Sequence, residues 1–272
     1  MMDFPMIDLS QIKYSVLDRP EVIHFLFHPR TETGGGLNTG PGKDILIPVE
    51  ENIRVGGRFH TADASAPNIL FFHGNGEIVS DYDGLGPVYN RLGINFLPVD
   101  YRGYGRSDGI PTVTAMMRDS HVILDFIRGR LRSEGFTGPL ILMGRSLGSA
   151  SVLELVYHYP DAVDGLIVES GFARAAPLLE LLGIDIRAIG FEEKDGFRNV
   201  DKIAAFRGPT LIIHAQNDHI IPFSEGEALY NAAGASDKTL LKISGANHND
   251  LMHVGFSEYM RAVKHLTDTV SR

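Results

Sequence analysis

From residue 45 onward the chain repeats one pattern: a short apolar run, a cluster of turn residues, then a stretch with helical spacing. The apolar runs fall at 45–49, 53–60, 68–73, 94–99, 139–143, 165–169, 210–214 and 239–243. Each has the length of a strand, and none approaches a membrane span. Strands that alternate with helices need crossover connections, which are right-handed and leave a mainly parallel sheet covered on both faces. The first two runs are too close together for a crossover, so they are expected to pair as an antiparallel edge. The expected fold class is therefore α/β, a mostly parallel, doubly wound sheet.

The helical stretches carry their own signals. Over 112–131, Val113, Met116, Met117, Ser120, Leu124, Ile127 and Leu131 form one stripe, with Thr112 as the expected N-cap behind Pro111. Residues 147–159 continue with helical spacing, and Ser224-x-x-Glu227 matches a capping box opening a helix at about 224–233. The first forty residues show little pattern. Within 31–42 five of twelve residues are glycine, which reads as a loop. A phosphate-binding loop ending at Gly42-Lys43 is excluded, because Leu37 and Asp44 stand where that motif needs Gly and Ser/Thr.

Composition narrows the function. At 272 residues the chain suits one domain, with 1–44 as an N-terminal extension. It has no cysteine, so disulfides, thiolate zinc sites and a cysteine nucleophile are excluded. The net charge of −9 with no basic run leaves no stripe to neutralise phosphates, so no nucleic-acid partner is expected. The first twenty residues lack the basic start and apolar run of a signal peptide, and a cytoplasmic protein is expected.

Chemistry is expected beyond the carboxyl ends of the strands. Two G-x-S-x-G strings occur, Gly105–Gly109 around Ser107 and Gly144–Gly148 around Ser146. This motif exposes a nucleophile only where a strand runs directly into a sharp turn that opens a helix. Ser146 has that setting; Ser107 sits in a Gly-rich loop and reads as a turn residue. A serine hydroxyl needs a base, and the base an acid, in the order Ser, acid, His. Asp218 follows the run 210–214, and His248 follows the run 239–243. Glu169, after the run 165–169, competes for the acid role, and His219 for the base. His214 is expected to point into the interior, His253 to lie on the last helix, and Asp250 to be too close to His248 to orient it. The oxyanion donors are expected to be the backbone amides of Leu147, after the nucleophile, and of Asn75 in the loop after 68–73. No ligand spacing for zinc appears, and no cofactor is required.

Five segments in order, HGNGEIVSDY (73–82), VDYRGYGRSDG (99–109), GRSLGS (144–149), QNDHIIP (216–222) and GANHND (245–250), resemble the α/β-hydrolase superfamily. The resemblance is nearest to the small-cap serine esterases and acyl-thioesterases that include the abhydrolase-domain depalmitoylases, and it covers about 45–270. It implies an α/β-hydrolase fold with a short helical cap, here an insertion at about 171–207. It also implies that Ser146, Asp218 and His248 are nucleophile, acid and base, and that Asp100–Gly103 is structural. The chain departs from the family at His219, where an acidic residue is commoner, and in the 31–42 stretch. Membrane-targeted relatives use an N-terminal cysteine cluster, so attachment by that route is not expected. The expected function is hydrolysis of an ester or thioester of a small acyl substrate, with a peptidase of the same fold or an inactive binding protein as alternatives. The leucine-rich stretch 177–191 is expected to wall the acyl pocket or to pack as an ordinary helix on the sheet.

Overall fold

The computed structural model describes residues 7–32 and 42–272. All eight apolar runs are strands: β1 (Lys43–Glu50), β2 (Ile53–Phe59), β3 (Asn68–Phe72), β4 (Asn95–Val99), β5 (Leu140–Arg145), β6 (Gly165–Glu169), β7 (Thr210–Ala215) and β8 (Lys238–Ile243). They form one sheet in the order β1-β2-β4-β3-β5-β6-β7-β8. The edge pair β1 and β2 is antiparallel, β2 also meets β4 antiparallel, and every pairing from β4 to β8 is parallel. The α/β, doubly wound fold expected from the alternation is the fold observed.

Side chains alternate across the central strands, so the sheet divides the core in two. Leu70, Phe72, Leu142, Val168 and Ile212 face one layer, made with α3 (Val113–Ser133), α4 (Gly148–His158), α6 (Asn199–Ala205) and α7 (Phe223–Ala232). Ile69, Phe71, Ile141, Met143 and Ile213 face the other, made with α2 (Gly86–Arg91), α8 (Leu251–Val254) and α9 (Phe256–Val270). Burial on both faces explains why these strands read as continuous apolar runs rather than alternating ones. Thr112 caps α3 as expected, its side chain accepting from the Ala115 amide. The expected capping box at Ser224 does not form. Pro222 precedes α7, fixing the turn, and Phe223 is already helical.

The first forty residues need correcting most. A helix α1 (Pro20–Leu26) opens on a proline at its first position, and Leu17, Val22, Leu26 and Phe27 enter the core against α3 and the sheet. Spacing of four between Val22 and Leu26 was the available signal. The expected glycine-rich loop at 31–42 falls, over 33–41, outside the described residues. Of the segment expected as a cap, α5 (Ala175–Leu181) lies towards the carboxyl ends of the strands, whereas α6 packs against α4 and α7. His253 lies on the short α8 rather than on the last helix. Among the described residues no helix is long and apolar enough to cross a membrane.

Leu17 is fully buried, so its truncation removes core contacts without touching the strands. Leu17→Ala should lower the unfolding free energy by about 2–5 kcal/mol in urea titrations. A loss below roughly 0.5 kcal/mol would mean that the N-terminal segment is not part of the cooperative core.

Candidate active site

Strand β5 passes into α4 through only two residues, Ser146 and Leu147. Ser146 takes φ +50°, a left-handed backbone that costs a non-glycine residue roughly 1–3 kcal/mol. The flanking glycines make the turn sterically possible. A Cβ at 144 would stand 2.4 Å from the Gly148 carbonyl oxygen, and one at 148 would stand 2.1 Å from that of Phe72. The Ser146 amide donates to the Glu169 carbonyl at 2.8 Å, tying the turn to the end of β6. Ser107 is placed differently. Its hydroxyl accepts from the Gly56 amide at 2.9 Å and fastens a loop to β2, so it is a turn residue.

Asp218 and His248 reach Ser146 from the loops after β7 and β8. Asp218 Oδ1 accepts from the Ile220 and Ile221 amides at 3.0 and 2.8 Å, leaving Oδ2 for His248 Nδ1 at 2.7 Å. Burial by itself would raise the Asp218 pKa. The hydrogen bond and charge of His248 and the two amides outweigh it and hold the carboxyl below its usual range. An ionised Asp218 places the proton on Nδ1, so the Nε2 lone pair faces the Ser146 hydroxyl at 3.2 Å. Such a contact sits at the long end for a hydrogen bond, as is common for catalytic pairs without substrate. Beneath them His214 is fully enclosed, as expected of an interior residue, and its Nε2 donates to the Ile221 carbonyl at 2.8 Å. Burial lowers its pKa and keeps it neutral.

The competitors are engaged elsewhere. Glu169 accepts from Arg145 at 2.6 Å and from the Tyr259 hydroxyl at 2.7 Å. His219 Nδ1 meets Asn247 Oδ1 at 2.6 Å, and Asp250 accepts from the Asn247 amide at 2.6 Å. Neither Glu169 nor Asp250 is bonded to His248.

The Gly74–Gly76 loop after β3 comes to the same place. The Asn75 side chain is held in place: Oδ1 accepts from the His28 amide at 2.8 Å and from the Tyr104 hydroxyl at 2.7 Å, and Nδ2 donates to His28 Nδ1 at 2.9 Å. Its backbone N–H takes no part in these bonds. Among the described residues neither the Asn75 nor the Leu147 amide has an acceptor, and both residues line one cavity with Ser146. That cavity, of about 180 Å³, is also bounded by Leu26, Leu178, Leu182 and Ile220. Leu26 and His28 went unrecognised in the sequence, because nothing local tells an N-terminal helix that it borders a site over a hundred residues away. Among the described residues no group of three or more metal-ligating side chains gathers.

Arg145, the first of the motif's two variable residues, is enclosed below the elbow. Its guanidinium donates to Glu77 at 2.8 Å, to Glu169 at 2.6 Å and to the His248 carbonyl at 2.9 Å. Glu77 in turn accepts from the Gly74 amide at 2.7 Å and from the Tyr82 hydroxyl at 2.6 Å. Burial would raise the Glu77 pKa, but the charge of Arg145 and the Tyr82 hydrogen bond prevail and bring it down to about 2.

Comparison with known proteins places this arrangement. The family model described as Serine aminopeptidase, S33 matches residues 63–188. An uncharacterized protein of Mycobacterium tuberculosis is 28% identical over 213 residues, spanning 77% of this chain and 73% of its own. The mouse alpha/beta hydrolase domain-containing protein 17C is 32% identical over 213 residues, spanning 75% of this chain; the match covers only 60% of the mouse protein's length. Among solved structures, the Pyrococcus furiosus esterase Pf2001 superposes with a TM-score of 0.72 at 15% identity, covering 90% of this chain and 100% of that one. With these likenesses and the mostly parallel sheet in agreement, the chain belongs to the α/β-hydrolase superfamily.

Proposed function

We propose that this protein is a serine hydrolase that cleaves a carboxylic ester or thioester through an acyl-enzyme intermediate. The observation that carries the reading is the unbroken line from Asp218 through His248 to Ser146, with 2.7 and 3.2 Å contacts across three separate loops. His248 Nε2 takes the Ser146 proton as Oγ attacks the substrate carbonyl. The Asn75 and Leu147 amides hold the developing oxyanion. Collapse breaks the acyl–oxygen or acyl–sulfur bond, and His248 returns its proton to the leaving group. Water, deprotonated by the same imidazole, then releases the acid and restores Ser146. Asp218, held ionised, steadies the imidazolium formed at each stage.

Five aliphatic residues line the cavity, which favours an uncharged acyl group on the carbonyl side. The α5 segment, bringing Leu178 and Leu182, serves as a short cap. Its first amides are fastened by Glu193 at 2.7 and 3.0 Å, so it is anchored at one end. The matched family model gives an aminopeptidase reading some weight. An aminopeptidase must hold a free α-ammonium, and among the residues lining the cavity Glu77 is the sole carboxylate. Both its oxygens are already occupied by Arg145, Gly74 and Tyr82. Ester cleavage is accordingly the preferred reading.

A fluorophosphonate probe followed by peptide mapping should attach to Ser146; an unlabelled Ser146 would favour a binding protein that has lost its chemistry. On p-nitrophenyl esters Ser146→Ala should reduce kcat by about a millionfold, whereas Ser107→Ala should leave it roughly unchanged. Equal losses would remove the elbow assignment. A panel of aminoacyl amides turned over faster than the esters would establish the peptidase reading instead.

The pH dependence has a definite sign. A protonated His248 cannot accept the Ser146 proton, so kcat/KM should fall towards acid with a slope of one proton. Because the Asp218 pKa is lowered, its carboxylate is still charged where that fall begins. Asp218→Asn should reduce kcat by roughly ten-thousandfold, through loss of the correct tautomer. A two-proton acid limb in the unmodified enzyme would contradict this assignment of charge.

A further inference from the structure

We infer that Arg145 is a positioning residue, a single cation that sets the spacing between the oxyanion loop, the nucleophile turn and the histidine loop. The inference rests on the hydrolase reading above. Arg145 is the residue immediately before Ser146, so its backbone belongs to the elbow itself. Its three donors diverge in one plane. Nε reaches Glu77 at 2.8 Å, Nη1 reaches Glu169 at 2.6 Å, and Nη2 reaches the carbonyl of His248 at 2.9 Å.

Each of these partners touches a different part of the site. The His248 carbonyl belongs to the residue whose ring faces Ser146, so this bond fixes how far the β8 loop can slide. Glu77 passes the constraint on by accepting the Gly74 amide at 2.7 Å, one residue before the proposed Asn75 donor. Glu169 ends β6, and its own carbonyl accepts the Ser146 amide at 2.8 Å. Tyr82 and Tyr259 donate to the second oxygens of the two carboxylates at 2.6 and 2.7 Å. The oxyanion donor, the base and the nucleophile are therefore referenced to one buried planar group.

Only arginine satisfies this geometry, since its fork presents up to five N–H donors in fixed directions whereas a lysine ammonium is a compact point charge. The arrangement is also expensive to hold, because Glu169 and Arg145 are withdrawn from water and Glu77 is partly so. A core designed for stability alone could use apolar residues there. A rigid polar hub is what a site needs when displacement by about 1 Å costs on the order of a hundredfold in rate.

The test compares Arg145→Lys, which keeps the charge, with Glu77→Gln, which keeps the shape, in the full chain. Wild-type protein is first shown to label at Ser146 with a fluorophosphonate. Each variant should then lose about ten- to a hundredfold in kcat and in labelling rate, with KM changed less than about threefold. The double variant should lose little more than the worse single variant, since both changes cut the same bridge. Variants with thermal midpoints near wild type but unchanged kcat would overturn the positioning role, as would fully multiplicative losses. If Arg145→Lys does not fold, Glu77→Gln and Tyr82→Phe decide the matter, and unchanged kcat in both would overturn the inference. Should wild type fail to label, the hydrolase reading itself falls, whatever the variants do.

Discussion

Everything at this site depends on a strained turn that can exist at only one place in the sheet. Ser146 holds a left-handed backbone at the end of β5, and that conformation survives because its neighbours leave no alternative. Gly144 pairs with Phe72 of β3 on one side and Val168 of β6 on the other, so β5 is central and buried on both edges. The Ser146 amide is claimed by Glu169, and its carbonyl accepts both the amide and the hydroxyl of Ser149 at 3.0 and 2.6 Å. These bonds offset a conformational cost of roughly 1–3 kcal/mol. The Ser107 copy of the motif has no such setting: five residues separate its Gly105 from the end of β4, no helix opens until Val113, and its loop is fastened to β2, so it builds no elbow.

Three carboxylates stand within the same neighbourhood, and environment separates their roles. Asp218 offers one oxygen to two backbone amides and the other to an imidazole, so it is oriented, charged and able to respond to charge on His248. Glu77 and Glu169 are clamped to Arg145 and bonded by tyrosines, so each has both oxygens engaged away from the His248 ring. Burial raises the pKa of a lone carboxylate, yet two of these are lowered, because each has gained a cationic or amide partner that more than compensates. The same rule explains the neutral His214 under Asp218. It is buried without a close countercharge of its own, at 3.6 Å from a carboxylate already committed to His248.

Much of this was legible in the chain. Strands buried on both faces print themselves as uninterrupted apolar runs, and every run from 45–49 to 239–243 became a strand. Ser146, Asp218 and His248 could be singled out because each follows such a run at its carboxyl end, and the fold brings precisely those ends to one rim. What stayed hidden has a common character. Arg145 is recorded in the sequence only as a variable residue of a motif, and its value comes from partners at 77, 169 and 248. Ser224 matched a capping box, but Pro222 fixed the helix start first, and a rigid φ prevails over a weak side-chain cap. The α1 segment is short, and seven residues give too few turns for periodicity to stand out.

That short helix carries a consequence for how stability and chemistry are related. Leu26 ends α1 facing the cavity, and two residues later His28 grips Asn75 through both its amide and its ring. Arg30 then reaches the Gly76 carbonyl at 2.9 Å and pairs with Asp81 at 3.0 Å. The loop proposed to hold the oxyanion is thus braced from one side by the Arg145–Glu77 pair and from the other by a segment that lies outside the matched region 63–188. Exposed contacts such as Arg30–Asp81 add little to stability on their own. Their effect here is geometric, since they hold a Gly-rich loop that has little stiffness of its own. A glycine-rich loop can hold one geometry only if other parts of the chain supply its rigidity, and for the loop proposed to hold the oxyanion two unconnected segments do so.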